Sequence, residues 1–113
     1  IEHQLGAFTD CNHGQGLAVI HPAYYHHILK DAEEKFERFA KAVFGKDTAE
    51  EGIQALGDFI KECGLPTKMG ELRSKVEITP EVLRKTADTC NIIKCNPREL
   101  DRDEIYEILM ECM

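Results

Sequence analysis

The stretch Glu2-His3-Gln4-Leu5-Gly6-Ala7-Phe8, followed by Asn12-His13-Gly14-Gln15-Gly16-Leu17-Ala18-Val19-Ile20-His21-Pro22, holds three of the chain's five histidines. It places them beside glycines and an unbroken apolar run. Residues 1–8 read as the tail of a helix, with Leu5 and Phe8 on one apolar face. Thr9 to Asn12 form a polar loop, and a second helix opens at His13-Gly14. Leu17, Ala18, Val19 and Ile20 leave that helix no polar side, which predicts burial all round. Pro22 lacks an amide hydrogen and clashes with the carbonyl four residues back, so it is expected to kink or interrupt the helix before it resumes through Ala23 to Leu29.

Outward from this stretch the signals are helical. Phe36, Phe39, Ala40 and Val43 recur at i, i+3, i+4 and i+7 within 31–44, and Gly45 supplies the stop. Thr48 and Glu51 make a capping box for a helix that presents Ile53, Leu56, Phe59, Ile60 and Cys63 on one face and ends at Gly64 and Pro66. Residues 67–77 form a connection with a helical turn at Lys68 to Leu72. Thr79-Pro80 is a cap followed by proline at the first helical position, with Ile78 set to staple onto Leu83. That helix is expected to end between Thr89 and Ile92, and Asn96-Pro97 breaks the chain. Asp101 and Glu104 cap a last helix lined by Ile105, Ile108, Leu109 and Cys112. No segment alternates as a strand would, so the expected fold is all-α with six or seven helices.

The chain of 113 residues suits one domain, 1–113. Its 21 acidic against 14 basic residues give a net charge of −7, the wrong sign for a nucleic-acid surface. No run of 18 apolar residues exists to span a bilayer, and no basic-then-apolar leader is visible. The five cysteines are odd in number and contain no CxxC pair. Cys63, Cys90 and Cys112 fall at apolar helical positions, which fits free thiols in a reducing cytoplasm. Cys11 lies in the polar loop two residues before His13, close enough to touch a site there.

Imidazole is the commonest metal ligand because its neutral form offers a lone pair at neutral pH. His3 and His13 lie ten residues apart across a helix-loop-helix corner and can converge on one point. Two imidazoles are too few for a divalent metal, which takes three or four protein groups. Read from spacing alone, they are equally two polar residues at a helix end and a helix start. Gly14 and Gly16 allow a close approach to the backbone, but no strand precedes them and no Lys-Ser/Thr follows, so this is no phosphate loop. His21 reads as a buried, hydrogen-bonded histidine. His26 and His27 point in different directions, one outward and one packed. The acidic segment Asp31 to Arg38 reads as a solvated face with an i,i+4 pair between Glu34 and Arg38.

These motifs resemble the iron-containing (group III) alcohol dehydrogenases, in the butanol dehydrogenase branch. That family has a helix with His-x-x-x-His-x-x-Gly-Ala, a short loop to His-Gly, and a buried helix ending in proline. Here the string reads His3-Gln4-Leu5-Gly6-Ala7, His13-Gly14, and Ala18 to Pro22, and Asn96-Pro97-Arg98 before a capped terminal helix fits its C-terminal end. The resemblance covers essentially the whole chain, as the helical C-terminal domain of a dehydroquinate synthase-like enzyme. It implies that His13 is the last metal-ligating histidine. It implies that His3 lies beside the metal and assists proton transfer or positions substrate, the catalytic role. The first histidine of the pair would fall two positions before Ile1, and the remaining ligands and the dinucleotide-binding domain further upstream.

The cofactors implied are Fe²⁺ (or Zn²⁺) and, through the N-terminal domain that this chain lacks, NAD(P). The substrate implied is a small primary alcohol or aldehyde, and the parent a homodimer. The fragment alone is expected to be inactive. The reading from a different class is a non-catalytic helical binding or scaffold module whose histidines are structural.

Overall fold

The computed structural model describes residues 1–91, 94 and 97–113. Among the described residues there are six α-helices and no strand: α1 (Glu2–Thr9), α2 (His13–His27), α3 (Glu33–Phe39), α4 (Ala49–Glu62), α5 (Pro80–Thr89) and α6 (Arg102–Glu111). Local chemistry sets most of their ends. Asn12 accepts from the Gln15 N–H at 3.1 Å and starts α2. Both capping boxes form, Thr48 with Glu51 on α4 and Asp101 with Glu104 on α6. Thr79 caps α5 with Pro80 in its first turn. The expected turn between Lys68 and Leu72 is a 3-10 turn over Met69–Glu71. Thr89 ends α5; Ile92, Cys95 and Asn96 lie outside the described residues.

Helix α2 is the axis of the fold, packing on α1, α4 and α6, while α5 pairs with α6 and α1. The core joins Leu5 of α1, Val19 and Ile20 of α2, Leu83 and Ala87 of α5, and Ile105, Ile108, Leu109 and Cys112 at the C-terminal end. Ile78, half-buried, packs against the same core as Leu83, as the staple requires. The connection after α4 is held by backbone bonds: Met69 N–H donates to the Cys112 carbonyl at 2.7 Å, and Lys75 and Val76 N–H to the Thr9 carbonyl at 2.9 and 3.4 Å.

Several expectations are corrected by packing. Pro22 does not interrupt α2, which runs unbroken from His13 to His27. Proline removes only the bond to the Ala18 carbonyl, and burial of Ala18, Val19 and Ile20 holds the turns before it. The helix does not reach Leu29; a 3-10 turn covers Leu29–Asp31. Leu17 is half-buried, so α2 is not enclosed on every side. On α1 the inward stripe is Glu2, Leu5 and Thr9, and Phe8 is 37% exposed. The third helix passes into a π-turn over Ala40–Phe44 before Gly45 closes it at φ 63°. A π-turn carries more residues per turn than an α-turn, so Val43 leaves the apolar face and is 60% exposed.

On α4 the inward residues are Gly52, Ile53 and Ile60, while Phe59 and Cys63 face outward. Phe59 instead adds its ring to an outer group with Phe44 and Phe39. Glu34 and Arg38 form no ion pair among the described residues; Arg98 bridges Asp31 and Glu104 instead.

Candidate metal and substrate site

The loop at Asp10 turns α1 back against the start of α2. Asp10 adopts the left-handed conformation at φ 51° and donates its N–H to the Gly6 carbonyl, a conformation that short polar side chains tolerate. This corner brings the two sequence-predicted histidines together. The rings of His3 and His13 are stacked, with centroids 5.2 Å apart and planes 14° from parallel. Both are exposed.

Glu2, which motif spacing did not single out, completes the group. Its side chain is 5% exposed, against 59% for His13. A buried carboxylate is costly unless it is paired, and the partner is the His13 Nδ1. An ionised carboxylate only accepts, so in that pair the imidazole donates Nδ1–H, and in the neutral ring the lone pair is then the one on Nε2. One ligand atom from each of Glu2, His3 and His13 lies within 4.8 Å of the others. A signal for Glu2 was present in the sequence: an acidic residue one position before a site histidine.

The close approach that Gly14 and Gly16 permit is made at Gly16, and the approaching group is Glu2. A Cβ at Gly16 would lie 2.9 Å from the Glu2 Cγ. Cys11 is half-buried and packs against the core. His21 is half-buried and stacked on Tyr25 at 5.3 Å, and burial pushes its pKa down. Its side chain makes no hydrogen bond among the described residues, and it is not one of the group at the corner. His26 is exposed beside Glu50, whereas His27 is 17% exposed and pairs with Glu104 at 3.4 Å. A 370 Å³ cleft between α2 and α4, lined by Ala18, Val19, Pro22 and Gly57, does not take in His3 or His13.

Over residues 1–113 the chain matches the model of the Fe-containing alcohol dehydrogenase family, C-terminal, and it belongs to that family. Its curated relatives include the NADH-dependent butanol dehydrogenases A and B of Clostridium acetobutylicum. They are 28% identical over 120 residues and 30% identical over 121, each alignment covering 96% of this chain and 30% of the relative. The crystal structure of NADH-dependent butanol dehydrogenase A from Thermotoga maritima superposes with a TM-score of 0.81 at 28% identity. That match covers 98% of this chain and 31% of the other. The chain thus spans about a third of the length of the relatives it matches. No helix among the described residues is long and apolar enough to cross a membrane.

Proposed function

We propose that this chain is the metal- and substrate-facing domain of an NAD(P)-dependent alcohol dehydrogenase acting on small primary alcohols or aldehydes. The observation that carries the reading is the convergence of His3 and His13 at one exposed corner, with His13 already held through Nδ1. The donor set suits a borderline divalent ion such as Fe²⁺ or Zn²⁺, which imidazole binds well. His13 would hold it through Nε2, and three further ligands would come from outside residues 1–113. Such an ion polarises the alcohol or carbonyl oxygen as a Lewis acid.

His3 stands one ring away, where its imidazole can accept or donate a proton at the substrate oxygen or orient that oxygen by a hydrogen bond. The hydride acceptor is the nicotinamide of NAD(P), carried by a dinucleotide-binding domain upstream in the parent protein. The buried thiols of Cys90 and Cys112 suit a reducing cytoplasm.

On this reading the purified 113-residue chain shows no NAD(P)H-dependent butanal reduction, and robust turnover by it would overturn the claim of inactivity. In the full-length protein, His13→Ala abolishes the activity with loss of bound metal. His3→Ala lowers kcat with metal retained. Unchanged activity in both variants would favour the scaffold reading, in which the histidines are structural.

A further inference from the structure

We propose that Glu2 is a positioning residue for His13: its carboxylate holds the imidazole by Nδ1 and so presents Nε2 to the metal. The inference rests on the metal reading of His13 above.

The argument starts from burial. Glu2 sits at the α1–α2 interface with 5% of its side chain exposed. Its Oε2 takes the His13 Nδ1, and its Oε1 faces two glycines. A Cβ built at Gly6 would lie 3.4 Å from that oxygen, and one built at Gly16 would lie 3.0 Å from it. Any side chain at position 16 would therefore push the carboxylate off its seat. Helix α2 leaves at Gly16 the space that admits this acidic group, and the polar partner of that group is the proposed ligand.

The consequence is chemical. Imidazole has two nitrogens, and the hydrogen bond made by one decides which is left to bind. An imidazole that donates its second N–H to a carboxylate is fixed in tautomer and ring angle and is made more basic at the ligating nitrogen. The competing arrangement has Glu2 itself as a ligand, since its oxygen lies within 4.8 Å of the His3 and His13 nitrogens. In that arrangement the metal competes with the His13 Nδ1–H for the carboxylate.

The test uses the full-length protein, stripped of metal and titrated with Zn²⁺ against a chromophoric chelator. The His13→Ala variant should lose most of its affinity. The Glu2→Ala variant should bind about 10- to 100-fold more weakly, the range typical of a lost outer-sphere partner. The Glu2→Gln variant should weaken only several-fold, because its amide oxygen still accepts Nδ1–H but brings no charge. Melting of the same metal-free samples separates positioning from packing.

A Glu2→Ala protein with parental affinity, whatever its melting temperature, overturns the proposal. Should Glu2→Ala fail to fold, Glu2→Gln decides alone: several-fold weakening supports the proposal and parental affinity overturns it. If His13→Ala also binds like the parent, the metal reading of His13 falls and takes this inference with it. Retained loss in His13→Ala with no loss in the Glu2 variants removes only the role of Glu2.

Discussion

Gly52 of α4 lies directly on Ala40, so close that a Cβ added to the glycine would come 2.3 Å from the Cβ of Ala40 and 2.7 Å from its Cα. The contact sits where the third helix widens into its π-turn, and it fixes how closely α3 and α4 approach. Backbone must move to accommodate even one methyl group. Gly52→Ala should therefore destabilise by about 1–3 kcal/mol through overpacking. Gly57, five residues on in the same helix, has nothing within 4 Å of a built Cβ. Gly57→Ala should instead stabilise by roughly 0.5–1 kcal/mol from helix propensity. Urea midpoints of the two variants check the pair, and equal effects would contradict the contact.

Acid stability should depend on Glu104. Its carboxylate accepts the Asp101 N–H of the capping box and is held by Arg98, with His27 alongside, and these contacts lower its pKa below the ordinary glutamate range. A group whose pKa is lower folded than unfolded contributes stability above the unfolded value and loses it as pH falls through the folded one. Glu104→Gln should be less stable than the parent at pH 6–7. The difference should shrink as the pH is taken below about 4, near the unfolded glutamate pKa. Denaturant midpoints from pH 7 to 3 measure it, and a pH-independent difference would place the effect of Glu104 elsewhere.

The face that α1 buries can be tested by two truncations. Leu5 is fully buried and Phe8 is 37% exposed. Leu5→Ala should cost about 2–5 kcal/mol, whereas Phe8→Ala should cost well under half of that despite deleting more atoms. Thermal unfolding of both variants distinguishes this face from one carrying Leu5 and Phe8 together.

Thiol reactivity should follow burial. Burial pushes the Cys112 thiol up to about 12, and it donates weakly to the Ile108 and Val19 carbonyls. Cys90 is likewise buried, with its pKa raised. Cys63 is exposed. Since thiolate is the nucleophile, an alkylating reagent at pH 8 should mark Cys63 first and reach Cys90 and Cys112 only on unfolding. Site-resolved peptide mass spectrometry reads the order.

Helix ends were legible because their chemistry is local. Thr48, Thr79 and Asp101 each satisfy backbone donors within three residues, and the same atoms do so in the fold, whereas the Asn12 cap emerged only there. Helix faces were less legible. Val43, Phe59 and Phe8 occupy apolar positions by period yet face outward, because a π-turn and the approach of neighbouring helices reset the phase. Propensity predicts a kink or interruption at Pro22 because it describes a helix alone, whereas α2 is held on several sides.

By itself the sequence determined an all-helical chain with most of its caps and stops, since period and capping chemistry act over a few residues, and it offered His3 and His13 as two imidazoles able to converge. Only the tertiary structure decided that those two rings stack, and that Glu2 is drawn inside against Gly6 and Gly16 to hold His13 by Nδ1. Those contacts join residues on different helices. Their geometry depends on how α1 closes on α2, which no periodicity within either helix encodes.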